Sequence, residues 1–108
     1  MEAQTVWDGM VDAGFPMKGF DMPGIGSSGD VVRIGMNGME ARQESIPSGR
    51  FAWLEFELPQ NGYRVKALGE VTSVVGGNGP TTVTYRFKHV FPRDRVAMND
   101  FLTEEAVA

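Results

Sequence analysis

Cysteine is absent from the 108 residues of this chain. That excludes a disulfide framework, a thiolate zinc site and a cysteine nucleophile, and leaves no demand for an oxidising compartment. Histidine occurs once, at His89. With a single histidine, and with carboxylates that lack the spacing of a calcium loop, no closed ligand set exists and no structural metal is expected. Long hydrophobic runs are missing as well; none approaches the ~20 residues that a membrane helix needs. Glu2 stands where a secretory signal carries bases, so the expectation is a cytoplasmic protein without membrane insertion. Bases are scarce in the first third, where residues 1–32 hold Lys18 and no arginine. The formal net charge of -4 repels a phosphate backbone on average and disfavours nucleic acid as a partner.

What is present suits one ordinary globular domain: 42% of the residues are apolar and 22% charged. Residues 1–30 stand apart. Gly9, Gly14, Gly19, Gly24, Gly26 and Gly29, with Pro16 and Pro23, interrupt a scatter of large apolar side chains that includes Trp7, Phe15 and Phe20. This composition predicts an irregular arm that either lies across its own domain or docks on a partner, with the folded domain confined to residues 31–108. On that expectation, deleting residues 1–29 leaves a folded domain.

From Asp30 onward the pattern is extended. Val31 to Ile34 and Met39 to Ala41 flank Asn37-Gly38, which accepts positive φ cheaply and predicts a hairpin. In Phe51 to Leu58, period-2 alternation puts Ala52, Leu54, Phe56 and Leu58 toward a core and Phe51 and Trp53 on the opposite face. After the turn Pro59 to Gly62, the strand Tyr63 to Val75 turns Val65, Ala67, Val71 and Val75 to one side, with Gly69 marking a bulge or bend. A glycine-rich loop, Gly76 to Pro80, leads to a strand whose apolar register is Val83, Tyr85, Phe87, His89 and Phe91. A short helix follows, with Pro92 in its first turn, Asp94 as an early acid and Val96, Phe101 and Leu102 on an apolar stripe laid over one mouth of the sheet. The fold class is therefore mainly β, a small antiparallel β-domain closed or capped by a C-terminal helix.

The candidates for chemistry are few. His89 falls on the apolar register, where a lone histidine reads as a core or rim residue rather than a base. Gly24-Ile25-Gly26-Ser27-Ser28-Gly29 spells G-x-G-x-x-G, yet Pro23 precedes it and Val31-Val32 follow, so no strand leads in and no helix leads out; a loop is expected. None of Ser27, Ser28, Ser45 and Ser48 lies in a nucleophile-elbow context. No enzymatic activity is expected.

Arg50 to Pro59, then Leu68-Gly69-Glu70-Val71, then Thr84-Tyr85-Arg86-Phe87, then Pro92 to Arg95 leading to Phe101-Leu102, resemble the PilZ domain family. The resemblance covers about residues 31–102 and implies a six-stranded antiparallel barrel with a short C-terminal helix. PilZ domains bind cyclic di-GMP through an R-x-x-x-R arm, whose guanidinium forks suit phosphate and guanine, and a [DN]-x-S-x-x-G motif. The second motif falls on Arg33-Ile34-Gly35-Met36-Asn37-Gly38, so the resemblance names Arg33, Gly35, Asn37 and Gly38 as the remnant ligand positions. Arg33 replaces the acid or amide, Gly35 replaces the serine, and the arginine arm is absent. Losing two forks forfeits several charge-assisted bonds at ~1.5–3 kcal/mol each, so cyclic di-GMP is expected to bind weakly or not at all and no cofactor is expected. The resemblance then implies a degenerate PilZ-like adaptor in cyclic di-GMP-linked motility or type IV pilus control. Its contact would be with a protein partner or a second copy of itself, through Phe51, Trp53, Trp7, Phe15 and Phe20. Two alternatives stand beside it: an atypical receptor in which Arg33, Arg42 or Arg86 replaces the arm, and a structural barrel without a signalling role.

Overall fold

The computed structural model describes residues 10–21, 24, 26–45, 47–76 and 79–107. Six strands and a helix follow in order: β1 (Val11–Asp21), β2 (Gly26–Ile34), β3 (Gly38–Gln43), β4 (Phe51–Glu57), β5 (Arg64–Val75), β6 (Thr81–Val90) and α1 (Pro92–Val107). The strands close into a barrel in the order β1-β2-β3-β6-β5-β4, every neighbouring pair antiparallel. Closure removes the free edges that a small open sheet would expose.

The expected irregular arm is corrected here. Residues 11–21 form β1, which pairs with β2 on one side and with β4 on the other, and residues 26–30 begin β2. Glycine and proline density was misleading because the residues between still alternate. Phe15, Met17 and Asp21 point inward while Asp12, Pro16 and Lys18 are exposed. Pro16 lies just outside the stretch of β1 that pairs with β4, where β1 is an edge and a proline is tolerated. Phe15 belongs to the core and offers no partner surface, while Trp7 lies outside the described residues. The Gly24 to Gly29 motif is not a loop either, since Gly26 to Gly29 sit in β2. Gly29 is required by packing: a Cβ there would lie 2.3 Å from the Arg42 carbonyl oxygen of β3.

The inner face follows the expected period in β4, with Ala52, Leu54, Phe56 and Leu58 all buried. The β2–β3 hairpin forms with Ile34 opposite Met39, and the Gly35 N–H donates to the Gly38 carbonyl at 2.9 Å. It does so without positive φ at Asn37 or Gly38. Gly35 and Gly38 close the hairpin, so the turn residues are Met36 and Asn37 rather than Asn37 and Gly38, and neither is left-handed.

Two readings of register fail for one reason. Leu68 pairs with His89 and Gly69 with Phe87, so β6 carries an extra residue at Lys88, a bulge that reverses the side-chain phase. Val90 therefore turns inward, while His89 and Phe91, expected on the inner register, are exposed on the outer surface. A second bulge at Thr72 displaces the end of β5, and Val75 is 65% exposed rather than inward.

Helix α1 plugs one mouth with Met98, Phe101 and Leu102, and the Phe101 ring stands edge-on to Phe15 at 6.0 Å between centroids. Val96, expected on that stripe, is 62% exposed, because it lies two residues from Met98 and so on the far side of the helix. Asp94 fastens the first turn to β5, accepting from the Tyr63 hydroxyl at 2.8 Å and from the Lys66 N–H at 3.0 Å. The other mouth is polar. Tyr85 is fully buried and its hydroxyl donates to Gln43 Oε1 at 2.5 Å, while Gln43 Nε2 donates to Ser27 Oγ at 3.1 Å. Burial pushes the Tyr85 hydroxyl up to about 12, against a smaller lowering by its bond to Gln43.

Candidate functional site

Directly opposed residues on antiparallel strands share a face, so the pairing registers lay out the barrel exterior in rows. Phe20 opposes Trp53, Trp53 opposes Leu68, and Leu68 opposes His89. Four strands thereby present one continuous outward row of large side chains. Phe20, Trp53 and Leu68 are half-buried, and His89 is exposed. Phe91, leaving β6, lies nearly parallel to the Trp53 ring, 6.4 Å between centroids at an interplanar angle of 8°, and the His89 ring meets Phe91 edge-on at 4.9 Å. The Phe20 ring also covers Gly26 on β2, where a Cβ would sit 3.3 Å from its edge.

Bases border this row. The Lys66 ammonium lies 5.5 Å from the Trp53 ring centroid, within cation–π range. On the other side, Phe51 opposes Glu70 and Glu70 opposes Arg86. Arg50 donates to Glu70 Oε2 from Nη2 at 2.9 Å and from Nε at 3.2 Å, and Lys88 Nζ lies 3.8 Å from Oε1. The Arg50 bond holds the Glu70 carboxyl below the ordinary carboxylate range, with Lys88 and Arg86 adding to the effect. The Arg50 guanidinium also stands 5.7 Å from the Phe51 ring centroid. A chain of net charge -4 thus carries an aromatic row edged by Lys66, Arg50, Arg86 and Lys88. Acids offset these bases, since Glu70 pairs with Arg50 and faces Arg86 while Glu55 opposes Lys66, so the apolar row rather than its charge distinguishes this face.

Of the residues named from sequence, Phe51, Trp53 and Phe20 come together on this face as outward side chains; Phe15 does not. His89, Phe91, Leu68 and Lys66 complete it and were missed. For His89 and Phe91 the signal was the single break of period at Val90, which a bulge at Lys88 reconciles with an inward Tyr85, whereas Lys66 and Leu68 lie outward on the plain alternation of β5.

Neither a family model nor a curated protein matches the sequence. Solved structures do. The Bacillus subtilis inhibitor of motility (MotI/DgrA) superposes with a TM-score of 0.74 at 14% identity, over 91% of this chain and 49% of that one. The PilZ domain of YcgR from Escherichia coli, solved with c-di-GMP, gives 0.70 at 14% identity over 91% of this chain and 88% of its own. The chain has the PilZ-domain fold. A further PilZ domain, that of CeSA from a cellulose-synthesizing bacterium, gives 0.65 at 14% identity, covering 88% of this chain and 95% of that domain. This PilZ-like barrel spans about half the length of the Bacillus subtilis protein.

Within the PilZ-like barrel, Arg33 to Gly38, the segment the family resemblance named, occupies the end of β2 and the β2–β3 turn. Arg33 stands in register between Asp12 of β1 and Glu40 of β3, so two carboxylates flank the one arginine of the motif. Gly35 and Gly38 are buried, and the Asn37 carbonyl accepts from the Phe87 N–H at 2.8 Å, which ties the turn to β6. Arg42 is opposed by Asp30, and Arg86 by Glu70. Each arginine considered as a substitute for the arm therefore faces an acid across the strand. Among the described residues, no three His, Asp or Glu side chains form a group that could hold a metal, and no helix is long and apolar enough to cross a membrane.

Proposed function

We propose that this chain is a non-catalytic cytoplasmic adaptor that holds a protein partner on its outward aromatic row and does not use cyclic di-GMP at its β2–β3 turn. The row Phe20, Trp53, Leu68 and His89, with Phe91 stacked beside Trp53, carries the reading. Aromatic side chains ringed by charge are the usual anchors of protein interfaces. The likeness of fold to an inhibitor of motility supports a place in motility control, and the resemblance to the PilZ family extends the proposal to type IV pilus control. The flanking of Arg33 by Asp12 and Glu40 argues against a dianionic ligand there, because like charges near the phosphates cost binding energy that a lone guanidinium does not return.

Two measurements test the proposal. Titration calorimetry with cyclic di-GMP should show no saturable heat under conditions that would fill a site of Kd ~100 µM or tighter. A low-micromolar Kd instead makes the chain an atypical receptor, with Arg33, Arg42 and Arg86 the first residues to replace. For the partner surface, Trp53→Ala should release a protein that the wild-type chain retains from its source organism, while Thr103→Ala on the exposed side of α1 retains it and circular dichroism shows all three folded. Equal retention by the Trp53 variant removes the aromatic row from the interface.

A further inference from the structure

The barrel is closed, yet one strand outruns its neighbour. Pairing between β4 and β5 ends at Phe51 opposite Glu70, and the Val71 N–H donates to the Arg50 carbonyl at 2.7 Å. Beyond that point β5 continues through Thr72, Ser73, Val74 and Val75, paired with β6 on one side. Among the described residues, no backbone bond reaches these four from the β4 side. All four are exposed, Val74 at 41% and Val75 at 65%.

An unpaired strand edge is a template for another strand, and natural proteins commonly blunt such edges with lysine, proline or inward charges. Thr72 to Val75 carries none of these, and three of its four residues are β-branched. The bulge at Thr72 shortens the usable edge but leaves it open.

We infer that Thr72 to Val75 of β5 is a self-association edge, at which two copies of this chain pair antiparallel across a two-fold axis and join their barrels through a β5–β5 seam. The charge pattern selects a second copy as the occupant. A two-fold axis sets each segment against itself, which penalises any charge within it, and this stretch of an otherwise charge-rich surface has none. The nearest ionised groups, Glu70 and Arg50, lie before the free edge and are already paired to each other, so the repulsion between two chains of charge -4 is kept off the axis. Each copy supplies the N–H and C=O groups that the other lacks, and the exposed valines of both meet along the seam. So short an edge makes a weak, concentration-dependent dimer rather than an obligate one. This inference is independent of the aromatic row, which lies on a face of the sheet and not on its edge.

Sedimentation velocity on the full chain, over a concentration series reaching about 500 µM, should show reversible dimerisation with Kd between ~10 µM and ~1 mM. Val74→Lys and Val74→Glu, each alone, should weaken association at least about tenfold, and an equal mixture of the two should restore it, because opposite charges then face each other across the seam. Restoration also shows that both variants fold. The absence of native cysteine allows a covalent check: Val74→Cys, set against itself by the two-fold axis, should crosslink under mild oxidation, and Thr103→Cys on α1 should not. A wild type that stays monomeric throughout the series overturns the inference. So does a dimer that survives both Val74 charges, or one that Trp53→Ala abolishes while Val74→Lys does not.

Discussion

Replacing Tyr85 with phenylalanine deletes one oxygen from the barrel interior, and its cost can be worked from the surrounding bonds. Tyr85 is 0% exposed and Gln43 1%. The Tyr85 hydroxyl donates to Gln43 Oε1 at 2.5 Å, while the bonds through Ser27 and Ser45 use only the Nε2 end of the same amide. Tyr85→Phe therefore leaves a buried carbonyl oxygen without its donor, which costs about 1–3 kcal/mol. A cavity of about 30 Å³ touching Gln43, Ser27 and Tyr85 has room for one water. Water donating to Oε1 would return part of the loss, so the expected value is about 1–2 kcal/mol, or roughly 4–16 °C in Tm for a domain of this size. In the double variant Tyr85→Phe with Gln43→Met the pair leaves no orphan, and its loss of stability should fall short of the sum of the two single losses by about 1 kcal/mol.

The same group sets an alkaline limb. The Tyr85 hydroxyl ionises near 10 when unfolded but is pushed up to about 12 by burial when folded. A raised pKa stabilises the fold fully below the unfolded value and progressively less as pH climbs from 10 toward 12. The wild type should thus lose stability across that window, and Tyr85→Phe should lose less. Tyr63, raised by its hydroxyl bond to Asp94, contributes in the same direction in both proteins, so the difference between their curves isolates Tyr85. Urea unfolding followed by circular dichroism at pH 7 to 11 supplies both readouts. A Tyr85→Phe variant within about 0.5 kcal/mol of wild type, with an unchanged alkaline limb, would refute the buried bond.

Asp94→Ala should remove both ties between α1 and β5, costing about 1–3 kcal/mol and speeding amide exchange in α1 more than in the barrel strands. Gly69→Ala should destabilise by about 1–3 kcal/mol in chemical denaturation, since the new methyl would lie 2.7 Å from Leu54 Cδ1 and 3.1 Å from Tyr85 Cδ1; a neutral outcome would mean that the β4–β5 layer yields freely there. Deletion of residues 1–29 should abolish the cooperative transition, contrary to what the composition of that segment suggests, because it removes β1, which bridges β2 and β4, and the start of β2 up to Gly29; a truncated chain with a native circular dichroism spectrum would show that the remaining strands close without it.

The β4 face, the β2–β3 hairpin and the capping helix were all legible in the chain. Alternation at Ala52, Leu54, Phe56 and Leu58, and the turn around Asn37, are local patterns that a strand displays whatever it pairs with. The same alternation runs through Phe15, Met17 and Lys18, but six glycines and two prolines nearby made it read as irregular. Glycine lowers local β preference, whereas pairing with β2 and β4 on both sides restores the strand, and no local pattern reveals that pairing. Gly29 illustrates the point. Read alone it looks like freedom for a loop, but in the barrel it is the only residue that fits beside the Arg42 carbonyl.

The candidate surface divides along the same line. Sequence alone determined that Phe51 and Trp53 point away from the core and that residues 1–32 hold no arginine, since each of these depends only on residue identity and a period of two. Tertiary structure alone decided that Phe20, Leu68, His89 and Phe91 join Trp53, that Asp12 and Glu40 bracket Arg33, and that among the described residues β4 stops short of the end of β5. Those outcomes depend on register between strands distant in sequence and on bulges at Lys88 and Thr72. A bulge shifts every later side chain to the opposite face, yet its position is set by the partner strand rather than by the residues that carry it.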